Sequence, residues 1–129
     1  MVLIDSTMYI DWQRAGQGLI GSLLFFTECY EVAVCGMVCC EVGSGIRDAA
    51  MRTQLKAIWR TLQCLPTDNR LWEESEEVLW NLERQGRRIP LADAVIASCA
   101  KRVGATIYTR DAHFDLIPGI RVAHRLEDL

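Results

Sequence analysis

The stretch IPLADAVIASCAKRVGATIYTRD, residues 89–111, holds a helix and a strand back to back. Pro90 opens the helix and Gly104 ends it, the Pro-first, Gly-last asymmetry of helix termini. Lys101 and Arg102 fall in its last turn, where cations complement the macrodipole. Ala92, Ala94, Val95, Ile96, Ala97, Cys99, Ala100 and Val103 make it apolar nearly all round, so it is predicted to lie buried against a sheet. Ala105 to Tyr108 follows as a strand. Asp93 interrupts the apolar surface in the first turn, where the helix dipole favours a carboxylate.

Outward from this unit, the same alternation recurs. Val2-Leu3-Ile4 is a short apolar run that fits a fully buried strand. Helices are predicted from about Thr7 to Arg14 and after Gly18, and Glu31 to Val34 is the next buried strand. Met37 to Gly45 is predicted as a short helix carrying Glu41. From Ile46 to Gln63 the stripe Met51, Leu55, Ile58, Trp59 and Leu62 predicts one amphipathic helix. Asp68 suits an N-cap for a helix from Leu71 to Arg84, stopped at Gly86. Beyond Tyr108, Asp111 to Leu116 is a helical turn and Ile120 to Val122 a last strand. Alternating strands and helices predict an α/β fold with a mainly parallel sheet. No repeat or linker divides the 129 residues, so a single domain over 1–129 is expected.

Composition narrows the function classes. At 50% hydrophobic and 24% charged residues, the chain is too apolar for intrinsic disorder. The uninterrupted apolar stretch from Val32 to Cys40 contains a glycine and is far shorter than the ~20 residues a spanning helix needs. No basic leader precedes the first strand, so a cytoplasmic location is expected. The net charge of −3 is uneven: residues 1–45 hold Arg14 against five acids, and the remainder is nearly balanced. An acidic protein still binds a polyanion through a local basic face or a bound cation. The six cysteines form no CxxC pair and have no zinc spacing to His113 or His124, and they are expected to be small hydrophobes in apolar surroundings.

Ligands of an open parallel sheet bind beyond the carboxyl ends of its strands. Asp5 follows the first strand and Asp111 the strand ending at Tyr108, while Glu41 and Asp93 sit on helices leading from the same sheet. Two carboxylates about 5 Å apart repel by roughly 3 kcal/mol at an effective dielectric of 20, so a fold that gathers several needs a cation. Oxygen ligands suit Mg²⁺ or Mn²⁺, and such ions serve phosphodiester hydrolysis.

The segments VLIDSTMYID (2–11), CCEVGSG (39–45), IPLADAVIASCA (89–100) and GATIYTRDAHFDLIPGIRV (104–122) together resemble a PIN domain, and more closely the VapC-type toxins of toxin–antitoxin pairs. The likeness runs through essentially the whole chain in order. It implies a PIN-like α/β fold with a central parallel sheet flanked by helices. It also implies a Mg²⁺- or Mn²⁺-dependent endoribonuclease that forms a homodimer and is inhibited by a VapB-like antitoxin. By this resemblance Asp5, Glu41, Asp93 and Asp111 are the catalytic, metal-binding acids. Ser6 and Thr109 support them, Thr109 by orienting Asp111, and Asp115 is a further candidate.

For RNA contact the candidates are Arg47, Arg110 and the stripe Arg52, Lys56 and Arg60 at i, i+4 spacing. Trp12, Trp59, Trp72 and Trp80 are aromatic platforms for bases, although Trp59 and Trp72, at helical spacing, suit a core or a dimer interface better. A receiver-type domain needs a lysine near the last strands, but the only lysines are Lys56 and Lys101, both on predicted helices. A haloacid-dehalogenase-like phosphatase needs Asp-x-Asp after the first strand, and Asp5-Ser6-Thr7 breaks it. Two alternatives stay open: a PIN-domain nuclease of RNA processing without an antitoxin, and a binding-only PIN module.

Overall fold

The computed structural model describes residues 1–16 and 18–129. Five strands form one sheet: β1 (Val2–Ile4), β2 (Val32–Cys35), β3 (Gln63–Leu65), β4 (Thr106–Tyr108) and β5 (Arg121–Ala123), in the order β3-β2-β1-β4-β5. Every pairing is parallel, with Val2 opposite Val32 on one side and Ile4 opposite Tyr108 on the other. Among the described residues the α-helices are α1 (Ser6–Arg14), α2 (Leu19–Cys29), α3 (Gly36–Gly45), α4 (Ala49–Trp59), α5 (Asn69–Arg84) and α6 (Leu91–Val103). Two 3₁₀ turns cover Ala112–Leu116 and Leu126–Asp128. The α/β fold with a parallel sheet agrees with the sequence reading.

β1 is the central strand, and all three of its side chains are buried. Helix α1 lays Met8, Tyr9 and Trp12 onto the sheet, a spacing that keeps them on one face. Trp12, Phe26 and Tyr108 form an aromatic run, with centroids 5.3 and 5.1 Å apart, that joins α1, α2 and β4. Trp59 of α4 donates its indole N–H to the Tyr9 hydroxyl at 3.2 Å, so two buried polar tips satisfy each other. Every residue of α6 from Asp93 to Ala100 is buried, as predicted, whereas Val103 at its end is exposed. Its small side chains admit α5 closely, with Ser75 and Ser98 hydrogen-bonded 3.1 Å apart in the contact.

Pro90 and Gly104 flank α6 as predicted, and Gly104 adopts φ 65°, a left-handed cap suited to glycine. Asp68 caps α5 by accepting from the Leu71 amide at 2.8 Å. Two expectations fail. The predicted helix from Ile46 to Gln63 ends at Trp59, and Gln63–Leu65 is an edge strand. Only Leu65 of that strand is buried, so it carries almost no apolar pattern of its own. The cysteines also depart from expectation. Cys35 and Cys99 are buried, but Cys29, Cys40 and Cys64 are exposed and Cys39 is half-buried, all as free thiols.

Candidate metal centre

The strand order reverses between β1 and β4: the chain leaves β1 toward β2 and β3, then returns to the other side for β4 and β5. That switch point is where an open α/β sheet leaves a crevice. The Ile4–Tyr108 register places Asp5 beside Thr109 at the crevice, and the Asp5 amide donates to the Tyr108 carbonyl at 3.0 Å. Asp5 is also the N-cap of α1, only 2% exposed.

Three donors converge on one Asp5 oxygen. Oδ2 accepts from the Thr7 hydroxyl at 2.7 Å, the Thr109 hydroxyl at 2.8 Å and the Thr7 amide at 3.3 Å. The two hydroxyls in turn accept from consecutive amides, Arg110 N–H onto Thr7 Oγ1 at 3.0 Å and Asp111 N–H onto Thr109 Oγ1 at 2.9 Å. Each hydroxyl has a single proton and spends it on Asp5. The other oxygen, Oδ1, has only Ser6 Oγ at 3.5 Å. Thr7, which the sequence reading passed over, therefore does what was expected of Ser6. Thr109 holds Asp5 by its side chain and Asp111 by its backbone.

Asp111 caps the 3₁₀ turn: its Oδ1 accepts from the His113 amide at 2.9 Å and lies 2.7 Å from His113 Nδ1. A carboxylate can only accept, so Nδ1 carries a proton and faces Asp111 as a donor. The same nitrogen lies 3.6 Å from Asp93 Oδ2. Asp93, Asp111 and His113 form the one group of at least three potential metal-ligating side chains among the described residues, with one atom from each within 4.8 Å of the others. His113 has no cysteine at ligand spacing, and its place two residues after Asp111 is the sequence signal for it.

The helix dipole alone predicts an easily ionised Asp93. Instead its carboxyl is pushed up to about 7, first by burial, then by the charges of Asp111 and Asp5. Its Oδ2 is buried and has no hydrogen-bond partner. Glu41 stands at the surface on α3, outside the tight cluster. Its carboxyl is raised by partial loss of solvent and then by Asp5, so it shares the same field. The crevice thus gathers Asp5, Asp93 and Asp111, adds His113, and holds Glu41 at its edge.

These residues fit a hard divalent cation. A buried carboxylate oxygen without a partner, among like charges, has the environment that such an ion relieves. The oxygen donors match Mg²⁺ or Mn²⁺ more closely than a soft ion.

The remaining candidates lie elsewhere. Asp115 is not part of the cluster and pairs with His124 Nε2 at 2.9 Å. Arg110 is tied to Asp11 at 2.9 Å. Arg52, Lys56 and Arg60 line a cleft of ≈ 630 Å³ with Cys39, Cys40, Cys64 and Trp59. Among the described residues, neither they nor Arg47 pair with a carboxylate. Trp12 and Trp59 are buried, while Trp72 and Trp80 are exposed on α5, against the core position considered for Trp72.

Residues 2–120 match the PIN domain family. The chain is 30% identical over 126 residues to a VapC ribonuclease of Mycobacterium bovis and to ribonuclease VapC11 of Mycobacterium tuberculosis, covering 93% of this chain and 93% of each relative. Among solved structures, it is similar to VapBC2 of Rickettsia felis bound to a DNA fragment from its promoter, with TM-score 0.73 and 19% identity, over 95% of this chain and 98% of the other. DNA-bound VapBC of Salmonella typhimurium gives TM-score 0.73 and 20% identity, over 95% and 96%. Fold, crevice and sequence agree: the chain belongs to the PIN domain family, among its VapC-type members.

Proposed function

We propose that this chain is a divalent-metal-dependent endoribonuclease, the toxin of a toxin–antitoxin pair, in which Asp5, Glu41, Asp93 and Asp111 hold Mg²⁺ or Mn²⁺. The observation that carries the reading is the buried, unpartnered Oδ2 of Asp93 among Asp111, Asp5 and His113. When bound, such an ion neutralises phosphate charge and activates water for in-line displacement. The chain's own residues do the rest. Thr7 and Thr109 hold Asp5 with Oδ2 saturated, leaving Oδ1 only the long contact to Ser6. The Asp111 backbone is fixed through Thr109, and His113 supplies a proton-bearing group beside both Asp93 and Asp111.

RNA is read as lying across Arg52, Lys56 and Arg60, unpaired with carboxylates among the described residues, which rise about 6 Å per step along α4 and its C-terminal cap. Arg47 and Arg110 are secondary contacts, the latter after release from Asp11. The cleft beside Glu41's helix belongs to the same track, since Cys40 and Ser44 line it. A VapB-like antitoxin is the expected inhibitor, placing a bidentate arginine on the acids and an apolar helix over exposed Ile10, Leu24 and Phe25. The chain is read as one domain that forms a cytoplasmic homodimer.

The test is cleavage of single-stranded RNA by the purified chain with Mn²⁺, with EDTA, and as Asp93→Asn. Cleavage is expected only in the first condition. Activity with harmless expression in the host, and no neighbouring protein that binds, replaces the toxin reading with the RNA-processing one. RNA binding without cleavage replaces it with the binding-only module.

A further inference from the structure

His124 follows β5, and its ring stands between two acceptors. Nδ1 lies 2.9 Å from the carbonyl oxygen of Thr109, and Nε2 lies 3.0 and 2.9 Å from the two carboxylate oxygens of Asp115. Neither a carbonyl nor a carboxylate offers a proton, so each ring nitrogen must donate. Neutral imidazole has one N–H, and only the imidazolium satisfies both contacts.

The two residues so held frame the candidate site. Thr109 is the residue whose hydroxyl donates to Asp5 and accepts from the Asp111 amide. Asp115 lies near the other end of the 3₁₀ turn that begins after Asp111 and carries His113. From its place just after β5, His124 therefore holds the segment that carries Asp111 and His113 on both sides, at Thr109 before them and at Asp115 after them.

We propose that His124 is a positioning residue: its doubly donating imidazolium clamps Thr109 and Asp115, and thereby fixes Asp111 and His113 against Asp5 and Asp93. The claim about metal affinity rests on the proposed metal-nuclease reading; the claim about the ring and the turn does not.

The charged groups around the ring are few. The 3₁₀ turn presents Asp115, and the C-terminal 3₁₀ turn presents Asp128, which is itself paired with Arg125 at 3.4 Å. The chain just after β4 presents the Thr109 backbone. Burial opposes the charged ring, but the bonds to Asp115 and Thr109 outweigh it, and the ring titrates above its ordinary value. The clamp is accordingly closed while the ring is protonated and opens as the pH rises through the His124 midpoint.

The experiment uses the full chain as wild type, His124→Asn and Asp115→Asn. Ring nitrogen NMR is expected to show two protonated nitrogens in wild type at pH 7, and a lower midpoint in Asp115→Asn. Hydrogen exchange at the Asp111 and His113 amides is expected to be at least tenfold faster in His124→Asn. Mn²⁺ titration at pH 7 should show affinity weakened about ten- to a hundredfold in His124→Asn, the range for partners that orient metal ligands. Deprotonation of the ligands raises affinity with pH in every variant, so the clamp is read from the ratio: the advantage of wild type over His124→Asn should shrink as the pH rises through the ring's own midpoint. That loss should come at lower pH in Asp115→Asn, which a purely structural role would not produce.

A ring with one proton at pH 7, or unchanged exchange and Mn²⁺ affinity in His124→Asn, overturns the proposal. If wild type binds no Mn²⁺, the metal reading fails on its own, and ring protonation and amide exchange still decide this one. If His124→Asn does not fold, Asp115→Asn carries the same measurements.

Discussion

The hydroxyl of Thr109 lies 2.8 Å from Oδ2 of Asp5, across 104 residues of chain. The two residues follow neighbouring parallel strands, β4 and β1, and the strand register alone brings them together. This bond makes the acidic crevice a property of the sheet: any distortion of the β1–β4 pairing moves Asp5 and Asp111 together.

Removing either hydroxyl leaves a buried carboxylate oxygen short of a donor. Thr109→Val and Thr7→Val should each destabilise the fold by about 1–3 kcal/mol. They should also couple, because both donate to the same oxygen, so the double variant should depart from the sum of the singles. Ser6→Ala, at 3.5 Å, should cost much less. Urea unfolding of the four variants measures this.

Asp93 makes metal-free stability depend on pH. Its folded carboxyl is raised to about 7, above the ordinary Asp value near 4. The unfolded state therefore releases this proton first, and stability falls as the pH rises from about 4 to about 7, by an amount on the order of a few kcal/mol. Asp93→Asn should remove that slope and leave the protein more stable than wild type at pH 8. Mn²⁺ at a hundred times its Kd should restore about 2.7 kcal/mol to wild type at that pH, and almost nothing to the variant. Thermal or urea unfolding across pH checks both signs.

Much of this architecture could be read from the chain. Pro90, Gly104 and the apolar surface between them defined α6, and Asp5, Asp93 and Asp111 converge as their positions after β1, at the start of α6 and after β4 implied. What escaped was set by partners rather than by pattern. Gln63–Leu65 pairs with β2 through its backbone, and two of its three side chains face solvent, so the preceding helical stripe carries no signal of where it ends. The raised carboxyl of Asp93 runs against the helix-dipole expectation, because only the folded chain shows its burial and its two acidic neighbours. Ser6 and Thr7 are both hydroxyls after Asp5, and the α1 cap geometry chooses between them.

The basic stripe has its own signature. Replacing Arg52, Lys56 and Arg60 together with Ala should weaken binding of single-stranded RNA. It should also reduce the slope of log K against log salt by about 2, at ~0.7 per phosphate contact. The fold should tolerate the change. Among the described residues, the one hydrogen bond these three side chains make runs from Arg52 Nε to the Gly43 carbonyl at 3.3 Å. Filter binding across a salt series measures the effect, and an unchanged slope removes α4 from the RNA path.

Gly104 ends α6 at φ 65°. Gly104→Ala should cost about 1–2 kcal/mol through the left-handed backbone, without altering Mn²⁺ affinity, because Asp93 sits at the opposite end of the helix. Chemical denaturation beside a metal titration separates the two effects.

The central claim is that Asp93 and its neighbours bind a divalent ion and cut RNA with it. The most direct measurement is Mn²⁺ binding by calorimetry, paired with gel-resolved cleavage of a single-stranded RNA, for wild type and a folded Asp93→Asn. The account predicts that wild type binds Mn²⁺ and cleaves the RNA, stops with EDTA, and that Asp93→Asn loses both properties while keeping its circular dichroism spectrum. Cleavage that persists in EDTA, or in Asp93→Asn at the wild-type rate, would contradict it.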